Sequence, residues 1–85
     1  MRIQISKFGN VLLSRPNGKE AFLAAKAHTF NPNEKEFLLD FVGVDVLTPS
    51  WADEFISGIK REFSNAVIKY ENTSNESVSA TLKII

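Results

Sequence analysis

The stretch Phe37–Val42, Phe-Leu-Leu-Asp-Phe-Val, is an apolar run interrupted by a single carboxylate. It is too short for a helix and rich in strand-forming residues, so it predicts a central strand covered on both faces. Gly43 permits a bend, and Val44, Val46 and Leu47 then alternate around Asp45 as a short continuation of that strand. Beyond this point the period changes. Ala52, Phe55, Ile56, Ile59 and Phe63 recur at helical spacing, with Asp53, Glu54, Ser57, Lys60, Arg61 and Glu62 elsewhere, so one face is core and the other is water. Thr48-Pro49-Ser50 supplies the start signal, with either hydroxyl available as the cap. Asp53 and Glu54 are expected in the first turn and Lys60 and Arg61 near the end, complementing the helix dipole. Gly58 costs about 1 kcal/mol relative to Ala inside a helix, which predicts a neighbour approaching closely there.

Either side of this unit the signals are shorter. Ile3 and Ile5 alternate within Arg2–Ser6, Gly9-Asn10 has turn chemistry, and Val11, Leu12 and Leu13 resume an apolar run, a pattern that predicts a hairpin. Lys7 and Phe8 fall in its connection, with Phe8 a lid over the core edge. Ser14 caps a first helix that tolerates Pro16 in its first turn, buries Ala21, Phe22, Ala24 and Ala25, and ends near His28. Asn31, Pro32 and Asn33 mark a loop, Ser64-Asn65 closes the second helix, and Ala66–Tyr70 reads as another strand. In the last ten residues Val78, Ala80, Leu82 and Ile84 alternate as a strand would, whereas Val78, Leu82 and Ile85 fit a helical face capped by Ser74 or Asn75.

Two charged residues are placed by this pattern. Asp40 lies within the apolar run and must reach a backbone N–H or a cation, which makes it a structural polar residue. Arg15, beside the first helix start, is either a solvated charge or an inward cation serving Asp40. At 85 residues the chain is one domain spanning 1–85, and its ten basic and ten acidic residues cancel, which disfavours a nonspecific nucleic-acid binder. It contains no cysteine and no apolar run long enough to span a bilayer, so a soluble cytoplasmic protein without membrane association is the expectation. The single histidine has no companion at ligand spacing, and no metal or cofactor is expected. Glycine-rich phosphate loops and convergent nucleophile sets are likewise missing from the pattern. Asp53 and Glu54 point about 100° apart on a helix and make a poor acid–base pair, so an enzyme is not expected.

The segment Leu39–Phe55, LDFVGVDVLTPSWADEF, resembles the central strand, turn and helix of STAS-like domains, the fold of anti-sigma factor antagonists. It is most similar to the small prokaryotic STAS-like family of unknown function, whose serine–aromatic–Ala-Asp-Glu turn is matched by Ser50, Trp51, Ala52, Asp53 and Glu54. That resemblance implies an α/β fold, a mixed sheet of about four strands with about three helices packed on it, and a helix at the C-terminus. It also implies a signalling role by protein–protein interaction, with Ser50, Trp51, Asp53 and Glu54 as partner-binding residues and a kinase-like ATPase or an anti-sigma factor as partner. Trp51, one position outside the apolar stripe, is either a partly exposed anchor or a side chain folded back over the sheet edge. Similar antagonists are released by phosphorylation of a serine at the start of this helix. Pro49 occupies the usual acceptor position, leaving Ser50 or Thr48 as shifted acceptors. The alternatives are a phosphorylation-regulated partner-switching antagonist and a small ligand-binding or structural subunit.

Overall fold

A computed structural model describes residues 1–85. The chain runs β1 (Arg2–Gln4), a 3₁₀ turn (Ile5–Phe8), β2 (Val11–Leu12), α1 (Arg15–His28), β3 (Glu36–Asp40), β4 (Val46–Leu47), α2 (Pro49–Glu62), β5 (Val67–Glu71) and α3 (Glu76–Ile84). The α/β class and the C-terminal helix are as expected. The five strands form two sheets, β1-β3-β5 and β2-β4, in which every pairing is parallel rather than mixed.

Both local strand expectations are corrected by this topology. Arg2–Leu13 is no hairpin: the 3₁₀ turn steps the chain sideways, so β1 pairs with β3 and β2 with β4. Parallel neighbours require a crossover: α1 lies within those joining β1 to β3 and β2 to β4, and α2 within that joining β3 to β5. Likewise Val46–Leu47 does not continue the central strand. Val44 N–H donates to the Phe41 carbonyl in a turn that Gly43 permits at φ 81°, and Asp45 and Val46 then donate to the Asn10 carbonyl, starting a separate pairing. The two halves thus repeat one order: strand, step, short strand, hydroxyl cap, proline, helix.

β3 is central, yet only one of its faces is covered. Phe37 and Leu39 point under the helices with Ile3, while Glu36 and Leu38 share the opposite face with Arg2, Gln4, Val67, Lys69 and Glu71. Leu38 is only half-buried because its cross-strand neighbours Arg2 and Lys69 lie over it. The apolar run therefore reads as continuous although its period-2 alternation still divides it between core and an open, charged face.

Eighteen apolar side chains form one core cluster spanning both sheets and all three helices. α1 and α2 pack closely against each other, and two glycines make room for the contact. A Cβ at Gly58 would stand 2.7 Å from the Phe22 ring, and one at Gly18 would stand 2.5 Å from the Trp51 carbonyl oxygen. The neighbour inferred for Gly58 is thus Phe22. Around the crossing, Phe55 meets Phe22 edge-on at 6.2 Å, Phe8 at 5.4 Å, and the stacked indole of Trp51 at 5.2 Å.

Candidate functional site

Parallel pairing of β2 with β4 sets the starts of α1 and α2 side by side. Ser14 caps α1 by accepting from the Asn17 N–H, and Thr48 caps α2 by accepting from the Trp51 N–H. The cap of α2 is therefore Thr48 and not Ser50. The Thr48 hydroxyl also donates to the Leu13 carbonyl, joining the two helix starts. Ser50 sits half-buried in the first turn of α2 and takes no part in the cap.

Because α2 begins at Pro49, Asp53 and Glu54 lie one turn further along than expected, outside the first turn. Both accept from Arg15, at 2.9 Å and 3.4 Å. Arg15 then holds the Asp53 carboxyl below the usual range, with the Ser57 hydroxyl adding to the effect. Of the two expected readings of Arg15, the exposed charge at the helix start is the observed one, and there it pairs with Asp53 and Glu54 of α2 instead of serving Asp40. The cation serving Asp40 is Arg2, at 2.8 Å, joined by the Asn72 amide at 2.8 Å and the Val42 N–H at 3.0 Å. Asp40 thus meets a backbone N–H and a cation together, and its carboxyl is held low by Asn72 first, then Val42, with Arg2 contributing.

Trp51 is 2% exposed. Of its two expected positions it takes the buried one, stacked on Phe55 and beside Phe8, and so it presents no anchor to solvent. Its ring is instead part of the floor of an open cleft of about 320 Å³ between β2, α1 and the start of α2. Phe8, Leu12 and Ala21 complete the apolar lining, Val11 and Leu13 stand on the rim at 50% and 53% exposure, and Asn17 and Glu20 are its polar members. Of the expected site residues Trp51 alone lines the cleft; Thr48 bonds the carbonyl of Leu13 on its rim, Ser50 is not among the lining residues, and Asp53 and Glu54 turn to Arg15.

A family model described as a STAS-like domain of unknown function matches residues 20–78, from the middle of α1 to the first turn of α3. The chain belongs to that family. No curated protein and no solved structure matches it. The STAS-like match covers β3, β4, α2 and β5 but neither β1 nor the rim strand β2, so the cleft combines matched positions, Glu20, Ala21 and Trp51, with unmatched ones.

Sequence reasoning missed Val11 and Leu13 on the rim and Glu20 in the lining, and Arg2 and Asn72 as partners of Asp40. For Leu13 a signal existed: an apolar residue directly before a Ser cap and directly after a short strand. For Arg2 and Asn72 there was none, because both reach Asp40 only through strand register, from 38 and 32 residues away. No helix is long and apolar enough to cross a membrane.

Proposed function

We propose that this STAS-like domain is a non-enzymatic protein-interaction module whose contact surface is the cleft rim beside the start of α2. The observation that carries the reading is the pair Val11 and Leu13, half-exposed apolar side chains beside Trp51, which is buried and stacked on Phe55. A cleft with apolar Val11 and Leu13 on its rim, and a largely polar exposed lining that includes the Glu20 carboxylate, suits a partner segment that lays an apolar side chain on the rim next to a basic one. Trp51 contributes as the floor rather than as an anchor. The resemblance to anti-sigma factor antagonists supports an anti-sigma factor or kinase-like ATPase as that partner.

Capture from the native host compares the unaltered chain with Leu13→Lys and, as a distant surface control, Ile84→Lys. A co-purifying chain kept by Ile84→Lys and lost by Leu13→Lys is expected, with thermal midpoints close to that of the unaltered chain because both positions are exposed. Retention of the same partner by Leu13→Lys removes this surface from consideration.

A second reading, regulation by phosphorylation, is favoured at Ser50 over Thr48 by the hydrogen bonds. The Thr48 hydroxyl caps α2 and holds Leu13, so modifying it breaks both bonds, whereas Ser50 is outside that arrangement. A phosphate adds about −1.5 to −2 charges at a helix start beside the cleft. Intact-mass analysis of the captured chain tests it: a phosphate localised to Ser50 is expected, and an unmodified Ser50 in the partner-released pool contradicts it.

A further inference from the structure

The outer strands of the two sheets are finished differently. The free edge of β4 is sealed by α3 and its cap: Ser77 Oγ accepts from the Leu47 N–H at 3.0 Å, the Thr81 hydroxyl donates to the Leu47 carbonyl, and the Asn75 amide donates to the Asp45 carbonyl. β5, at the edge of the three-stranded sheet, has no such cover, and four of its five residues are exposed. The Val67 N–H donates to Lys35 and the Glu71 carbonyl accepts from Phe41. By the two-residue period of a strand, Val67, Lys69 and Glu71 turn their backbone groups toward β3, and Ile68 and Tyr70 turn theirs outward. Nothing in the chain meets those outward groups, and such an edge is a template for another strand.

The order of charges along β5 selects what pairs with it. Antiparallel pairing with a second copy centred on Lys69 sets that ammonium against its own copy, which is destabilising. Centring on Ile68 exchanges the same number of backbone bonds, since Ala66 has already donated its N–H to Phe63 as Asn72 has left the strand in the other register, but it leaves Lys69 opposite Val67 with no charge partner. Centring on Tyr70 exchanges the outward N–H and C=O groups of the two Tyr70 residues and sets Lys69 opposite Glu71 of the second copy, twice by symmetry. We propose that two copies of this chain associate in this last register, edge to edge through β5, giving one six-stranded sheet from two three-stranded ones. The pairing also links the charges already present on the open face. Glu71 bonds Arg2 and Lys69 bonds Glu36 within each copy, so the new pairs join them into one row of alternating sign. Asn72, at φ 57°, ends the strand directly after Glu71 and limits the contact to this short segment. The dimer is therefore concentration-dependent.

Sedimentation equilibrium of the full chain from low to high micromolar concentration tests the proposal. A monomer–dimer equilibrium is expected for the unaltered chain. Lys69→Glu and Glu71→Lys each turn two opposite-charge pairs into two like-charge pairs and raise the dissociation constant roughly 30-fold. An equimolar mixture of the two variants regains dimer, because one now carries only acidic and the other only basic side chains at these positions. An unaltered chain that stays monomeric throughout overturns the proposal, as does a dimer indifferent to both substitutions or a mixture that fails to regain it. Because Lys69 and Glu71 also pair within each copy, an independent readout uses the absence of native cysteine. In this register the two Tyr70 Cα atoms lie about 5.5 Å apart, within disulfide reach. Tyr70→Cys is expected to oxidise to a covalent dimer faster than Val67→Cys, and equal rates count against the register.

Discussion

Asp40 illustrates how much one side chain organises here. Its Oδ1 closes a two-residue turn onto Val42 and accepts from Asn72, and its Oδ2 accepts from Arg2, so β1, β3 and the end of β5 are tied at one carboxylate. The folded carboxyl is held below its ordinary range. A group depressed in this way contributes stability that is present above the unfolded value of about 3.9 and is lost as pH falls through the folded one. Asp40→Asn keeps an acceptor for Val42 and loses the charge that holds Arg2. Its thermal midpoint is expected to lie below that of the unaltered chain at neutral pH, with the gap closing as pH falls below about 4. A gap of constant size across that window would show that the charge contributes nothing. The need for a partner at Asp40 was legible from an isolated carboxylate in an apolar run; that the cation is Arg2 and not Arg15 depended on strand register.

At the scale of elements, α2 is the best-specified segment and its contact with α1 the most exacting. The apolar stripe Ala52, Phe55, Ile56 and Ile59 is buried as its spacing requires. Gly58 sits on that buried side because Phe22 occupies the volume that a Cβ needs. Gly58→Ala improves helix propensity by about 1 kcal/mol, but forcing the ring aside costs about 1–3 kcal/mol. A net loss in urea midpoint is expected. Shortening the ring with Phe22→Leu makes room, so the same glycine substitution in that background is expected to cost less or to stabilise. Equal costs in both backgrounds would mean that Phe22 is not what the glycine accommodates. Strands β1 and β2 were harder to read. Two or three apolar residues beside Gly9-Asn10 satisfy a hairpin pattern as well as two separate parallel pairings, because local alternation is identical in the two cases. The 3₁₀ turn that separates them buries Ile5 and places Phe8 against Trp51 and Phe55, a tertiary gain that overrides the local turn signal.

For the whole molecule, the two sheets share one core. Leu12, Leu47 and Trp51 belong to the same buried cluster as Ile3, Phe37 and Leu39, with no polar layer between them. Unfolding is therefore expected to be a single cooperative transition, with Trp51 fluorescence, which reports the β2–β4 side, coinciding with far-UV circular dichroism. A fluorescence transition preceding the other would show that the small sheet and the cleft open as a separate unit. By itself the sequence determined the α/β class, the central strand, the extent of α1 and α2 with their hydroxyl-and-proline starts, and the family resemblance that the match over residues 20–78 bears out. These rest on periodicity and capping, which act within a few residues of chain. Which strands pair, which sheet face stays open, that Trp51 is floor and not anchor, and which cation meets Asp40 were decided only by tertiary structure. Each depends on register between segments about 30 or more residues apart, and a local pattern carries no information about register across such a distance.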